Sequence, residues 1–277
     1  MAAGKGTRMK SRNSKVLQKL AGRALLQHVL DTAVQLQARS AVVITGHEAA
    51  QVEAAVAANA GAAMALQCVR QEPQLGTGHA VQQAVPVLAQ DGMVVVLSGD
   101  VPLTQADTLQ ALVNAAGTDR MALLTVTLDN PTGYGRIVRN AAGTVQRIVE
   151  QKDATDAERA ITEIYSGIMA VPAKQLAQWL SQLNNHNAQG EYYLTDIVAM
   201  AVADGVQVVA HQITDEVQVA GVNSPLQLAQ LERAHQQRQA PAFDGAGRAP
   251  GRSGPVRCAR RCARWQGAVA VRPRRRN

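Results

Sequence analysis

Met93-Val94-Val95-Val96-Leu97-Ser98-Gly99-Asp100-Val101-Pro102 decides the fold. Five successive apolar residues, three of them valine, leave the strand no polar face, so it must be covered on both sides, as in the parallel sheets of α/β layers. The run stops at Ser98-Gly99-Asp100, which delivers a carboxylate to the carboxyl end of a strand, where open α/β sheets bind ligands. Asp100 is thus a candidate for holding Mg²⁺, an ion that takes one or two protein oxygens together with substrate phosphates and water. A turn or helix-capping aspartate is the alternative that this feature leaves open.

The units on either side repeat the pattern. Leu25, Leu26, Val29, Leu30, Ala33 and Leu36 recur at helical spacing, and the apolar run Ala41 to Ile44 is closed by Gly46. A helix from about Glu48 to Ala60, a strand near Ala63 to Gln67 and a helix after Thr77, with Thr77 as N-cap, follow. Beyond Asp100, Thr104-x-x-Asp107 resembles a capping box, and Met121 to Val126 reads as a strand. Alternating strands and helices predict a doubly wound, mostly parallel sheet. From Asp129 the chain becomes turn-rich, and Ile137 to Val149 and Ile164 to Val171 read as short strands of a β-rich lid. Val206 to Ile213 and Val217 to Val222 read as strands, and Ser224-Pro225 starts a linker helix to about Arg238. The expected organisation is a domain over 1–223, a linker helix over 224–240, and an Arg-rich segment over 241–277 without apolar period, read as disordered.

Met1-Ala2-Ala3-Gly4-Lys5-Gly6-Thr7-Arg8-Met9, with Lys15 downstream, forms a glycine loop loaded with cations. Gly4 and Gly6 let backbone N–H groups approach phosphate oxygens, while Arg8 and Lys15 supply charge. The loop lacks the Gly-Lys-Ser/Thr spacing of a P-loop, and Met9 stands where a dinucleotide fingerprint needs its third glycine. A second glycine turn, Gln71-Glu72-Pro73-Gln74-Leu75-Gly76-Thr77-Gly78, opens a helix whose free N–H groups could face a base or phosphate.

Composition narrows the partners. The chain has 277 residues, 47% of them hydrophobic but only 3% aromatic, which suits small aliphatic cores and provides no stacking platform for nucleic-acid bases. The net charge of +7 is misleading, because ten arginines lie in 241–277 and the body before them is near neutral. No nucleic-acid or membrane partner is expected, although an Arg-rich segment contacting RNA or membrane is the non-enzymatic rival. No apolar run reaches the roughly 18 residues that span a bilayer and no signal peptide opens the chain, so a cytoplasmic protein is expected. Cys68, Cys258 and Cys262 fit neither a disulfide framework nor a zinc site, and the six histidines include no pair at metal-ligand spacing.

Seven segments in order resemble one family. The glycine loop with its lysine, Gln71 to His79, Gly99-Asp100-Val101-Pro102-Leu103, Pro131 to Arg136, Glu150-Gln151-Lys152-Asp153, Gly190 to Asp196 and Gly221-Val222-Asn223 are similar to the uridylyltransferase half of bacterial bifunctional N-acetylglucosamine-1-phosphate uridylyltransferase / glucosamine-1-phosphate acetyltransferase. The resemblance covers residues 1 to about 238. It implies a Rossmann-like nucleotidyltransferase fold and transfer of UMP from UTP to N-acetylglucosamine 1-phosphate, with Mg²⁺ as cofactor. It places Ala2, Ala3 and Gly4 on the nucleotide, Arg8 and Lys15 on the triphosphate, and Gln71, Gly76 and Thr77 on the uracil side. Ser98, Gly99 and Asp100 line the reacting centre, Asp100 and Asn223 hold the metal, and Gly135, Glu150, Tyr165 and Thr195 line the sugar pocket. The acceptor phosphate is already an anion, so no general base is needed and the lack of a candidate catalytic histidine is expected.

The departures carry expectations of their own. Ser14 replaces the commoner proline before the lysine, and Tyr165 stands where the family has asparagine. A hydrophobic strand precedes the glycine loop in the family; its absence here leads us to expect poor folding or weak UTP binding. The hexapeptide repeats of the acetyltransferase half do not follow, so neither acetyl transfer nor that domain's trimer contacts are expected. A different sugar-1-phosphate nucleotidyltransferase and an inactive truncated fragment are the competing readings.

Overall fold

The computed structural model describes residues 1–2, 14–58 and 64–244, with side chains to 240. Ala3, Gly4 and Arg8 lie outside the described residues, as does 245–277. After a 3-10 turn at Lys15–Leu17, a small antiparallel hairpin of β1 (Lys19–Leu20) and β2 (Arg23–Ala24) leads into α1 (Leu25–Gln35). Then follow β3 (Ser40–Thr45), α2 (Ala49–Ala58), β4 (Ala65–Arg70), α3 (Thr77–Ala84), β5 (Met93–Val96), α4 (Ala106–Ala116) and β6 (Met121–Thr127). The second half adds β7 (Gly135–Arg139), β8 (Val145–Val149), α5 (Asp156–Arg159), β9 (Glu163–Pro172), α6 (Ala173–Ser181), α7 (Ile197–Ala203), β10 (Val208–Ile213) and α8 (Pro225–Asp244).

Helices cover both faces of the sheet, as all-apolar strands require. On one face Val95, Ala122, Leu124, Ile168 and Ala170 pack against Leu26, Val29 and Leu30 of α1 and Leu109 and Leu112 of α4. On the other, Val94, Val96, Leu123, Met169 and Val171 meet Leu176, Trp179 and Leu180 of α6 and Ile197 and Val198 of α7. Burying one such side chain contributes about 1.5–3 kcal/mol, so these two layers are the main source of stability. A third cluster, Leu20, Leu25, Leu103 and Val222, receives Leu231 and docks α8.

Among the described residues, the strands form two sheets besides the hairpin. One is the parallel pair β3–β4, and the other has six strands in the order β10-β6-β9-β7-β8, with β5 also pairing β9. β6 and β10 are parallel, whereas β9 runs antiparallel to β5, β6 and β7. β9 is therefore a central strand and not part of a lid. Its two faces feed both cores, through Ile164, Ile168 and Ala170 on one side and Tyr165, Met169 and Val171 on the other, which only an interior position allows. Its pairing with β6 slips between Leu123 and Thr125; the bulge sits at Gly167, where φ is +86° and a Cβ would lie 3.2 Å from Ser98 Oγ. Bulges of this kind re-aim side chains beside binding sites.

Among the described residues, what bridges the two sheets by backbone is Met1-Ala2. Ala2 N donates to Ile44 O (2.9 Å), the Met1 amino group to Leu97 O (2.6 Å), and Gly99 N to Met1 O (2.8 Å).

Two caps and one strand differ from the sequence-based expectation. Gly76, not Thr77, is the N-cap of α3, because the Thr77 hydroxyl is engaged by Leu194 N at 3.0 Å. Thr104 donates to Gln218 O (2.8 Å), leaving Gln105 as N-cap of α4 while Gln218 Oε1 accepts from Gln105 N and Thr108 Oγ1. The stretch expected as a strand over Val217 to Val222 contains instead a 3-10 turn, Glu216–Val219, started by the Asp215 carboxylate accepting from Val217 N. Ser224 Oγ does accept from Gln227 N, and α8 reaches Asp244, past the expected boundary at 240.

Candidate active site

Two neighbouring cavities open at the carboxyl ends of β3 and β5. One, of about 450 Å³, is lined by Met1, Ala2, Lys15, Gln71, Gly76, Thr77, Ser98 and Asp100 among others. The other, about 210 Å³, is lined by Gly135, Glu150, Tyr165, Thr195 and, beside them, Tyr134 and Gly167. Met1, Thr77 and Ser98 contribute to both, so a ligand in one abuts a ligand in the other. Separations of tens to hundreds of residues in sequence collapse into one cleft because the ends of β3 and β5 and the turn after β4 open on the same side, and the bulge of the antiparallel β9 faces them.

The floor of the junction is charged. Lys15 Nζ lies 2.5 Å from Asp100 Oδ2 and 3.0 Å from Asn223 Oδ1, with both ionic side chains largely buried. Asp100 is placed by the end of β5, and Asn223 by the chain that returns to it, where Val222 N donates to Asp100 O (2.9 Å). Sequence separation gives no hint of this meeting, since Lys15 and Asn223 are 208 residues apart.

The wall of the larger cavity is the Gln71 turn. Gln71 is 4% exposed, and its amide donates to Gly76 O (2.9 Å) and meets His79 Nδ1 (3.2 Å). Gly76 has φ +111°, and a Cβ there would sit 2.6 Å from Tyr192 O, so only glycine fits. Backbone bonds from Tyr192 N to Leu75 O (2.8 Å) and Gly78 N to Tyr192 O (2.7 Å) clamp this turn to the 190–196 segment. Tyr192 was no sequence candidate. Its signal was available in the glycine pair opposite it, because closely approaching backbones need glycines.

In the smaller cavity Glu150 accepts from Thr195 Oγ1 at 2.9 Å. Burial pushes the Glu150 carboxyl above its ordinary range, against the Thr195 bond that lowers it and with Asp196, Asp153 and Glu191 adding like charge. Tyr165 is fully enclosed on the floor; burial, then the neighbouring Glu150, raises its phenol well above normal, and its hydroxyl has no hydrogen-bond partner. Tyr193 Oη donates to Asp153 Oδ2 (3.0 Å), tying the 150–153 segment to the 190–196 segment from behind. Cys68 lies half-buried on β4, away from both cavities, and burial raises its thiol, which disfavours the reactive thiolate.

Among the described residues no cluster of three His, Cys, Asp or Glu side chains is arranged to hold a metal. Asp100 and Asn223 nevertheless fit a hard divalent cation that takes its remaining ligands from phosphates and water: a carboxylate and an amide oxygen already converge on one positive charge, the Lys15 ammonium.

A family model described as MobA-like NTP transferase domain matches residues 1–188. The chain belongs to this family of NTP transferase domains. The chain is 73% identical over 245 residues to the bifunctional protein GlmU of Acidovorax ebreus, 67% identical to that of Polaromonas naphthalenivorans, and 56% identical to that of Paraburkholderia phymatum. In each case 87–88% of this chain is covered, and 52% of the relative. The chain thus spans about half the length of these curated relatives. The crystal structure of apo UDP-glucose pyrophosphorylase superposes with a TM-score of 0.67 at 14% identity, covering 86% of this chain and 97% of that one, which shows the shared nucleotidyltransferase fold. No helix among the described residues is long and apolar enough to cross a membrane.

Proposed function

We propose that this NTP transferase domain transfers UMP from UTP to N-acetylglucosamine 1-phosphate, giving UDP-N-acetylglucosamine and pyrophosphate, in the cytoplasm and without nucleic-acid or membrane partners. The observation that carries this reading is the junction: two cavities of unequal size share Met1, Thr77 and Ser98 and meet over Lys15, Asp100 and Asn223. Residues 1–223 are the transferase unit, and 224–240 the linker helix. In the larger cavity Gln71, Gly76 and Thr77 read the uracil side, the base being selected by a buried amide and by backbone groups that cannot move without breaking the clamp to Tyr192. Ala2 and Gly99 bring backbone against the nucleotide; the family resemblance adds Ala3 and Gly4 to the nucleotide contacts and gives Arg8 a charge on the triphosphate or leaving pyrophosphate.

The acceptor sits in the smaller cavity. Glu150, held by Thr195, accepts from sugar hydroxyls, and Gly135, where a Cβ would meet Ile148 at 2.7 Å, and Tyr165 line the pocket beside it. Asp100 and Asn223 would hold Mg²⁺, which when bound neutralises and orients substrate phosphates. The acceptor phosphate attacks without a general base, so the protein's part is alignment of two anions and relief of their repulsion. Lys15 supplies charge where negative charge moves onto the departing pyrophosphate.

The test is direct. Incubating the purified chain with UTP, N-acetylglucosamine 1-phosphate and MgCl₂ should release pyrophosphate and yield UDP-N-acetylglucosamine by mass spectrometry. Equal rates with glucose 1-phosphate, or with other nucleoside triphosphates, would overturn the assignment of substrates.

A further inference from the structure

Lys15 stands where a metal would have to stand. Its ammonium donates to Asp100 Oδ2 (2.5 Å) and Asn223 Oδ1 (3.0 Å), the same two oxygens that converge to bind a divalent cation. Bonds from a small divalent ion to such oxygens run at about 2.0–2.1 Å, so an ion held by both would lie within contact distance of Nζ. An ammonium and a divalent ion crowded onto the same Asp100 oxygen repel one another strongly in a pocket where the lysine and aspartate side chains are only 14% and 19% exposed. Moving one of them away relieves that repulsion. The lysine stem is the mobile partner, since Asp100 is fixed by β5 and by the Val222 N–H on its carbonyl. The larger cavity, which Lys15 also lines, is where it can go when phosphate oxygens are present there.

We propose that Lys15 is a built-in placeholder cation: in the empty site it occupies the metal position, and a divalent ion enters only as Lys15 swings off Asp100 and Asn223 toward the phosphate side of the cavity. This rests on the reading of the site given above and adds a coupling to it. Metal binding and phosphate binding then reinforce one another, because each ligand removes the competitor of the other. The empty site is kept from holding a divalent ion with no substrate to act on. Without the lysine, Asp100 would be a half-buried carboxylate lacking its counter-ion, and the site would hold a bare ion more tightly.

Two measurements on the full chain without nucleotide test this. In the first, Mn²⁺ binding is followed by the electron paramagnetic resonance of the free ion. Lys15→Met should bind Mn²⁺ about tenfold more tightly than wild type, Lys15→Arg should stay near wild type, and Lys15→Met/Asn223→Ala should lose the gain. In the second, wild-type protein is acylated in the presence and absence of Mn²⁺ and the lysines are quantified by mass spectrometry. Mn²⁺ should raise the modification of Lys15 severalfold while leaving the exposed Lys19 and Lys174 unchanged. A Lys15→Met protein that binds Mn²⁺ no more tightly than wild type overturns the proposal. If that variant does not fold, the acylation decides alone, and unchanged Lys15 reactivity on adding Mn²⁺ overturns it. Neither measurement contains UTP or sugar phosphate, so both stand whether or not uridylyl transfer is confirmed.

Discussion

The two halves of the cleft are built to different standards. On the acceptor side β9 is paired on either side of its bulge, with β6 on one edge and β7 and β5 on the other, and Ile164, Met169, Ala170 and Val171 are sealed from solvent. On the nucleotide side β3 pairs with β4, and the described backbone connection to the main sheet is Met1-Ala2. β4 itself alternates between exposed and half-buried residues. The acceptor pocket thus rests on a strand paired on both edges either side of its bulge, whereas the nucleotide cavity is joined, among the described residues, by side-chain packing, the clamp at Tyr192 and the backbone bonds of Met1-Ala2. Segments with fewer buried contacts and fewer paired backbone groups open at lower free energy.

The junction between the halves should give the largest effect. Asp100→Ala should lower Mg²⁺-dependent turnover by roughly 10²–10³-fold, as loss of one electrostatic stabiliser commonly does, while both halves stay folded. Near-normal turnover would show that the halves meet over some other group.

The clamp comes next. Gly76→Ala combines a φ of +111° with a Cβ 2.6 Å from a carbonyl oxygen that is itself hydrogen-bonded to Gly78. Strain of this kind costs on the order of 1–3 kcal/mol, so thermal unfolding should come earlier by roughly 3–10 °C and UTP binding should weaken more than sugar-phosphate binding. An equal loss of both affinities would mean that the two cavities are one cooperative unit and the contrast is false.

A milder intervention acts on the bridge. Met1 and Ala2 bond to Leu97, Gly99 and Ile44 at the carboxyl ends of β5 and β3, so residues placed before Met1 would run back between those strands. Five prepended β-branched apolar residues should raise the melting temperature and tighten UTP binding, since each buried side chain is worth about 1.5–3 kcal/mol before an ordering cost of comparable size. Unchanged unfolding and unchanged binding would show that the nucleotide side is already as well anchored as the acceptor side.

The smallest effect is expected in the well-built half. The raised Glu150 carboxyl means that the folded state holds that proton more readily than the unfolded chain, so its ionised form is a burden at neutral pH and the burden lifts as pH falls through the carboxylate range. Glu150→Gln should therefore be slightly more stable than wild type at pH 7, by a few degrees at most, and lose that advantage at acid pH. It should also raise the Michaelis constant for the sugar phosphate. A pH-independent stability difference would show that Glu150 is not held against its preference.

The amino-acid sequence by itself determined the order and type of most elements, because all-apolar runs such as Met93 to Leu97 and helical stripes such as Leu25 to Leu36 encode burial through local periodicity. It also singled out Asp100 at a strand end and the two glycine turns, whose backbone requirements are local. Only the tertiary structure decided which elements became neighbours. Periodicity reports that both faces of Glu163–Pro172 are apolar and does not say which strands flank it, so the lid and the sheet centre looked alike until β5, β6 and β7 were seen pairing with it. Caps followed the same division. Ser224 serves its own helix, whereas Thr77 and Thr104 are taken by Leu194 and Gln218, more than a hundred residues away. The meeting of Lys15 with both Asp100 and Asn223 belongs to this second class, since side chains that distant in sequence are brought together by chain crossovers and held by burial.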